Sequence, residues 1–367
     1  MWVKELTVIN FKNYEEASLI FAPGVNAFTG DNGAGKTNIL DALHYLSLCK
    51  SYFNPIDSQQ IKQETDFFMV QGVFEKGDQA DILACSLKRN QKKQFKKNKK
   101  DYQRLADHIG AYPLVMISPN DSVIISEGSE ERRKFIDNVI SQTDNRYLDD
   151  LILYNKYLQS RNSLLKQQAS SKSYDDDLLS VYDEQLAQVG EQLFEKRKRF
   201  IEPFITIFNQ HYQYLTNDAE PVELIYESQL FGNSFTDLLN RAIQKDRALE
   251  RTTVGIHKDD LLFSIHGMPL KKFGSQGQQK SFLIALKLAQ YTFLCEKKGF
   301  KPLLLLDDIF DKLDDKRTRK LMEMVSHDDF GQIFITDTSS ERVQNTFRGI
   351  DVDVRIFTVA SGKIKAV

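Results

Sequence analysis

Cysteine is scarce in this chain: Cys49, Cys85 and Cys295 are the three present in 367 residues. Their wide spacing supports neither a disulfide framework nor a metal site, and it suits a reducing compartment. No apolar run approaches the roughly 18 residues that a membrane-spanning helix needs. The opening, Met1-Trp2-Val3-Lys4-Glu5, reads as a strand and not as a signal peptide. Strong charge of either sign is also missing. The net charge is −2, so a polyanionic partner would have to meet a local basic patch. Hydrophobic residues make up 41% and charged residues 27%, which supplies a sizeable core in an ordinary soluble protein. The length allows two domains, or one with a large insertion. The expectation is a cytoplasmic protein with no membrane partner.

What is present starts with Gly30-Asp31-Asn32-Gly33-Ala34-Gly35-Lys36-Thr37. It fits G-x-x-x-x-G-K-[ST], the phosphate-binding P-loop. The glycines let successive backbone N–H groups turn inward toward phosphate oxygens. Lys36 can reach the β- and γ-phosphates, and Thr37 can offer its hydroxyl to Mg²⁺. The apolar run Val25 to Thr29 reads as a strand entering the loop. Asn38 to Leu43 reads as the helix leaving it, with its N-terminus toward bound phosphate. ATP and Mg²⁺ are therefore the expected cofactors.

The first 30 residues read as strands, and Phe67 to Phe74, Asp81 to Leu87 and Leu114 to Ser118 read as more. From about residue 130 the period changes. Tyr147, Leu151, Tyr154, Leu158 and Leu165 fall at three- and four-residue steps, as do Leu179, Tyr182, Leu186, Val189, Leu193 and Phe200. Arg161 and Lys196 interrupt this heptad-like pattern. A polar link, Gln167 to Tyr174, joins the two runs, which predicts an antiparallel helical hairpin. A helix of roughly 24 residues would reach about 36 Å at 1.5 Å per residue. The stripe is equally compatible with helices packed on a globular core. After Pro221 the pattern predicts strands at Val222 to Tyr226 and Leu261 to His266, and a helix near Gln278 to Lys297. Further strands follow at Pro302 to Leu306, Gln332 to Thr336 and Val354 to Val359, with a helix near Lys316 to Val325.

Leu303 to Leu306 ends in Asp307 and Asp308. A buried parallel strand reads this way, and ligands bind at the carboxyl ends of such strands. Asp307 fits the holding of Mg²⁺ through water, and Asp308 the orienting of an attacking water. Asp308 and Lys36 are the candidate catalytic residues. Phe273-Gly274-Ser275-Gln276-Gly277-Gln278 opens a helix and resembles the signature motif of ABC-type ATPases, L-S-G-G-Q. In that family the serine binds the nucleotide of a partner subunit, so Ser275 and Gly277 join the candidate nucleotide residues. Lys312-Leu313-Asp314 resembles the D-loop. Ile335 to Thr338 occupies the switch position, or forms an ordinary strand-end turn.

The 238 residues from Thr37 to Ser275 leave room for an inserted domain but not for coiled coils several hundred residues long. The expected fold is α/β: an ABC-type P-loop ATPase head with an inserted, largely helical second lobe. The expected division is residues 1–125 and 220–367 for the head, and 126–219 for the lobe.

Over essentially its whole length the chain resembles the RecF family of bacterial recombinational repair proteins. Leu6 to Tyr14 resembles the family's opening strand and F-R-N-Y turn, with Lys12 for arginine. Lys50-Ser51-Tyr52 follows as in the family, with Phe53 where arginine is usual. Pro119-Asn120-Asp121, then Gly128 and Arg132-Arg133-Lys134-Phe135-Ile136-Asp137, resemble a second family motif. Gly255-Ile256-His257-Lys258-Asp259-Asp260-Leu261 resembles a third. Asp311-Lys312-Leu313-Asp314 departs from the family's S-E-L-D, with Lys312 replacing an acid.

The resemblance implies an ATP-dependent DNA-binding protein of recombinational repair and replication restart, in the DNA-damage (SOS) context. It implies dimerisation on ATP, work with RecO and RecR, and indirect service to RecA on gapped or single-stranded DNA. A weak, DNA-dependent ATPase activity is the matching expectation. The rivals are a soluble ABC subunit powering a transporter and a scaffold that senses ATP without hydrolysis. Lys88 to Lys100 carries eight basic residues in thirteen. Its Lys96, Lys97, Lys99 and Lys100 are candidate DNA-phosphate contacts, unless the segment is a solvated hairpin tip turning near Asn98. Arg132 and Arg133 are a second candidate patch, unless they pair with Glu130 and Glu131.

Overall fold

The structure is a computed structural model that describes residues 1–217, 220–309, 315–326, 329–350 and 352–366. The chain opens with β1 (Trp2–Phe11), β2 (Tyr14–Ile20), β3 (Val25–Thr29) and α1 (Lys36–Leu48). β4 (Phe67–Lys76), β5 (Gln79–Lys88), β6 (Gln94–Lys97), β7 (Lys100–Asp101) and β8 (Leu114–Ile117) follow. Next come α2 (Val123–Ser126), α3 (Ser129–Thr143), α4 (Asn145–Ser171) and α5 (Asp176–Thr216). β9 (Val222–Glu227), α6 (Phe235–Leu249), β10 (Asp260–Ile265), β11 (Met268–Pro269) and α7 (Leu270–Phe273) continue the chain. The last elements are α8 (Gln276–Lys298), β12 (Leu303–Leu306), α9 (Asp315–Ser326), β13 (Ile333–Asp337), α10 (Ser340–Phe347), β14 (Val354–Ala360) and β15 (Lys363–Ala366).

Two compact units result. The first holds Met1–Ser122, His211–Asn217 and Lys280–Val367. It contains two sheets, ordered β2-β1-β4-β5-β6-β7 and β15-β14-β3-β13-β12-β8. The first sheet is antiparallel, and β4 shows the alternating burial of a strand with one wet face. In the second, β14, β3, β13, β12 and β8 pair in parallel. β3, β8, β12 and β13 are buried at every position, as parallel strands covered on both faces must be. α1 touches β1, β4 and β5 of one sheet and β8 and β13 of the other. Its apolar residues therefore run all round it: Ile39, Leu40, Leu43, Tyr45, Leu46 and Leu48 are all buried.

The second unit holds Val123–Gln210 and Asp218–Gln279. It is larger than the 126–219 lobe expected from the sequence. Residues 220–279, expected in the head, pack here instead as the β11-β10-β9 sheet, α6 and α7. The cause is a polar interior that ties them to the helices. Buried Arg197 of α5 donates to Asp137 of α3 at 2.8 Å, to Tyr147 of α4 at 3.0 Å and to Asp259 at 2.8 Å. Arg161 of α4 is fully buried and donates to Asp183 of α5 at 2.5 Å and to Asp246 of α6 at 2.6 Å.

The helical hairpin is present and longer than expected, with 27 residues in α4 and 41 in α5. The partners Gln168 and Asp175, Arg161 and Asp183, Asp150 and Lys196, and Tyr147 and Arg197 meet in reverse chain order. Both interruptions of the heptad pattern are thus cross-helix polar ties. α6 was absent from the sequence reading. Its signals were there: Ser234 caps the helix by accepting from Asp237 N–H, and Phe235, Leu239 and Ala242 form a buried stripe.

Four of the six histidines, His44, His108, His211 and His257, are pushed down to about 4 by burial. Each makes a hydrogen bond through a ring nitrogen, to Lys50 O, Leu46 O, the Thr292 hydroxyl, and Tyr154 with Thr252 O respectively. Their folded values lie below the unfolded value of 6.5, so the unfolded chain binds protons first. The stabilisation from neutral burial is complete above pH 6.5 and is lost progressively toward pH 4. Urea midpoints should therefore fall between pH 7 and pH 5, before most carboxylates titrate. Equal midpoints across that window would contradict neutral burial.

Candidate nucleotide site

The site begins where β3 ends. Gly30 has φ +144°, and a Cβ there would lie 2.1 Å from the Val359 carbonyl of neighbouring β14. Gly35 has φ +113°, and its Cβ would lie 2.3 Å from the Asn13 side chain. Only glycine fits either place. Ala34 N–H donates to Asp31 O at 3.2 Å and closes the loop, and α1 starts at Lys36. The Lys36 ammonium donates to the carbonyls of Gly30 at 2.7 Å and Asp31 at 2.9 Å. It therefore lies over the loop, where it would neutralise the charge of a phosphate.

Parallel pairing carries the second half of the site to this point. Thr29 stands beside Asp337, Ile335 beside Leu306, and Leu306 beside Ile117, so β3, β13, β12 and β8 end together. The Thr37 hydroxyl donates to Asp307 Oδ1 at 2.8 Å, and the Thr336 hydroxyl donates to the same oxygen at 2.9 Å. Asp308 N–H donates to Thr336 Oγ1 at 2.9 Å, and Asp308 takes the left-handed region with φ +47°. A non-glycine residue pays for that conformation, and such positions cluster at functional sites. Burial holds the Asp307 carboxyl above the usual carboxylate range, while the hydroxyls of Thr37 and Thr336 pull it back.

Thr37, Asp307 and Thr336 are thus brought together, with Asp308 next in the chain and Lys36 folded over the loop. Asp337 of the switch position behaves as a strand-end turn residue. Its Oδ1 accepts from Ser339 N–H at 2.7 Å and from Arg342 at 2.8 Å. Thr336 is the member of that segment that joins the site. The D-loop candidate, with Asp311, Lys312, Leu313 and Asp314, lies outside the described residues.

Three groups of supporting residues had no role assigned from sequence. In the turn between β1 and β2, Asn13 donates to Ala34 O at 3.1 Å and accepts from Asn38 at 2.7 Å, and Tyr14 donates to Gly35 O at 2.9 Å. The F-K-N-Y turn therefore braces the P-loop. Lys12 meets buried Asp41 of α1 at 2.5 Å and lies 5.4 Å from the Phe53 ring centre. Two of the three departures from the family pattern, Lys12 and Phe53, thus pack on each other. Asp121, just past β8, receives the hydroxyl of Tyr52, the ammonium of Lys287 at 2.7 Å and Ser118 N–H at 2.7 Å. Burial pushes the Tyr52 phenol well up, with Asp121 adding to it.

Ser275 and Gly277 belong to the second unit. Ser275 and Gln278 exchange hydrogen bonds, Ser275 N–H to Oε1 at 2.6 Å and Gln278 N–H to Oγ at 3.3 Å. This is a capping box that starts α8 and leaves Ser275 exposed.

The basic segment is a hairpin. Asn98 and Lys99, with φ +51° and +68°, form the tight turn between β6 and β7. Lys93 pairs with Asp57 at 2.7 Å, Lys97 with Asp81 at 2.9 Å and Lys96 with Asp101 at 3.8 Å. Lys99 and Lys100 stand exposed. Arg132 and Arg133 do not pair with Glu130 and Glu131, which hold Lys134 instead, at 2.9 and 2.8 Å. Arg132 makes a two-point pair with Asp260, at 2.7 and 3.0 Å. Arg133 donates to Asp259 O at 2.7 Å. Arg132 is therefore committed within its own unit, because a bidentate carboxylate partner saturates its fork.

A family model described as the RecF/RecN/SMC N-terminal domain matches residues 2–365. A DNA replication and repair protein RecF of Flavobacterium johnsoniae is 52% identical over 359 residues, covering 98% of this chain and all of that one. A solved structure of the recombination mediator protein RecF-ATPrS in the RecFOR pathway is 31% identical. It has a TM-score of 0.90, with 100% of this chain and 98% of that chain covered. An SmcHead bound to the C-winged helix domain of ScpA has a TM-score of 0.60 at 15% identity, covering 100% of this chain and 97% of that one, and is alike in fold. Fold and site together define an ABC/SMC-type ATPase head. The chain belongs to the RecF family of DNA replication and repair proteins.

Asn13→Ala should leave the chain folded and weaken ATP binding by about fivefold, because one bracing hydrogen bond is worth about 1 kcal/mol. Lys36→Ala should remove most of the ATP response. Calorimetric titration of both variants tests this, and parental affinity in Lys36→Ala would remove Lys36 from the site.

Proposed function

We propose that this chain is a cytoplasmic, ATP-dependent DNA-binding protein of recombinational repair and replication restart. On this reading it dimerises on ATP and helps to place RecA on gapped or single-stranded DNA, with RecR and RecO as partners. Its ATPase activity is weak and DNA-dependent. The observation that carries the nucleotide part is the meeting of Thr37, Asp307 and Thr336 beside Lys36, at the ends of parallel strands. The two glycine positions, where a Cβ would strike Val359 O or Asn13, suit a backbone cradle for phosphate. Thr37 and Asp307 supply the oxygen donors that Mg²⁺ shares with nucleotide phosphates. Bound Mg²⁺ would neutralise phosphate charge during hydrolysis. Asp308 orients or deprotonates the attacking water. Its carboxylate is one methylene shorter than glutamate, which fits slow turnover. The similarity to RecF structures containing ATP and ATPrS supports ATP as the nucleotide. Those structures are of RecF in the RecFOR pathway, which supports the repair role.

Ser275 is read as a contact to the nucleotide of the second subunit. An exposed hydroxyl at a helix N-terminus is suited to an anion.

Phosphate release measured with and without DNA tests the whole reading. DNA stimulation is expected, and zero turnover with tight ATP binding would replace it by a sensor. Asp308→Asn should keep ATP binding and lower hydrolysis at least tenfold, prolonging the dimer. Unchanged hydrolysis would take Asp308 out of catalysis. Ser275→Arg should bind ATP as a monomer in sedimentation, and a normal ATP dimer would count against the contact in trans.

A further inference from the structure

The second unit gathers cations around the end of α6. Glu250 caps this helix in the left-handed region, with φ +52°. Arg251 N–H then donates to Asp246 O at 3.1 Å, and Thr253 donates to Asp246 Oδ1 through its N–H at 2.9 Å and its hydroxyl at 2.6 Å. These bonds fold residues 250–258 back over the helix end. Lys258 N–H to Gly255 O, at 2.8 Å, closes the short turn that follows. The Arg133 guanidinium reaches in from α3 to Asp259 O at 2.7 Å. Lys245, Arg251, Lys258 and Arg133 are thus placed together by backbone geometry.

Three of the four acids at this place are already engaged, exposed Glu250 being the fourth. Asp246 holds Arg161 at 2.6 Å, Asp259 holds Arg197 at 2.8 Å, and Asp260 holds Arg132 at 2.7 Å. Among the described residues, Lys245, Arg251 and Lys258 have no ion-pair partner, and all three are exposed. The cations instead feel one another. Burial, then Arg251 and Arg133, push the Lys258 ammonium down. A helix C-terminus favours one or two cations in its last turn. It does not account for Lys258 or Arg133, which lie on other segments. The Lys88–Lys100 hairpin differs in part, because Lys93, Lys96 and Lys97 are answered by Asp57, Asp101 and Asp81, while Lys99 and Lys100 stand exposed.

We propose that Arg133, Lys245, Arg251 and Lys258 form a phosphate-backbone binding surface on the second unit. This surface, and not the hairpin, carries the salt-sensitive part of duplex DNA binding. The proposal rests on the DNA-binding reading above and adds its location. Phosphate contacts are independent of base sequence, and each adds about 0.9 to the log–log salt slope on duplex DNA.

The test measures fluorescence anisotropy of a labelled duplex with ATP over a salt series. The proteins are the parent, the triple variant Lys245→Gln, Arg251→Gln and Lys258→Gln, and the hairpin variant Lys96→Gln, Lys97→Gln, Lys99→Gln and Lys100→Gln. Arg133 is kept because it also bonds to Asp259. The triple variant should flatten the slope by about 2.7, three contacts at about 0.9 each, and weaken binding alike on unrelated sequences. The hairpin variant should keep the parental slope. Arginine at positions 245 and 258 should preserve affinity, which separates lost charge from lost folding. A parental slope in the triple variant, or a flattened slope in the hairpin variant alone, overturns this proposal and leaves DNA binding standing. A parent that does not bind DNA with ATP overturns both.

Discussion

The parallel pairing of β12 between β13 and β8 is the constraint on which the nucleotide site depends. Thr37 and Asp307 are 270 residues apart and meet at 2.8 Å because the strands carrying them end at one level. The driving force is apolar. Leu303, Leu304, Leu305 and Leu306 are all fully buried, and burying such side chains is worth about 1.5–3 kcal/mol each before entropy is counted. Asp307 follows immediately, so it cannot avoid partial burial. The hydroxyls of Thr37 and Thr336 offset that cost without neutralising the carboxylate. The same arrangement leaves an oxygen-rich floor beneath Lys36, which suits a divalent cation with phosphate.

A second layer of contacts holds the P-loop from outside. The turn between β1 and β2 has no nucleotide chemistry of its own. Through Asn13 and Tyr14 it gives the carbonyls of Ala34 and Gly35 a second donor each, beside the N–H groups of Gly362 and Asn38. Lys12, in the same turn, meets Asp41 on α1, and Asp41 accepts from Ser51 at 2.6 Å and from Tyr52 N–H at 2.7 Å. Tyr52 then reaches Asp121 beyond β8. Motifs that look unrelated along the chain are thus successive members of one hydrogen-bonded frame around α1.

In the second unit, buried ions do the organising. Breaking a buried pair by removing one partner costs about 3–5 kcal/mol, whereas the intact pair adds little net stability. Arg161 and Arg197 therefore act chiefly on register. Arg161 finds Asp183, and Arg197 finds the Tyr147 hydroxyl, at one alignment of α4 against α5, and each also claims an acid from the segment after residue 220. A uniform leucine seam would tolerate sliding by a heptad, and these pairs do not.

The sequence by itself determined the local and periodic features. The P-loop is contiguous, so its glycine spacing and flanking strand and helix are written in Val25 to Leu43. The leucine run before Asp307 and Asp308, the hairpin of α4 and α5, and the strands on either side were legible for the same reason: burial patterns have short periods. The family resemblance was legible in clustered motifs. Tertiary structure alone decided which polar groups meet. Arg132 takes Asp260, 128 residues away, and not its neighbours Glu130 and Glu131. Residues 220–279 join the helical unit because Asp246, Asp259 and Asp260 satisfy arginines from α3, α4 and α5. The hairpin lysines look free in sequence, yet Asp57 and Asp81 approach them from other segments. Hydrogen-bond and charge partners are chosen by distance in space, and a sequence records that distance only for neighbours along the chain.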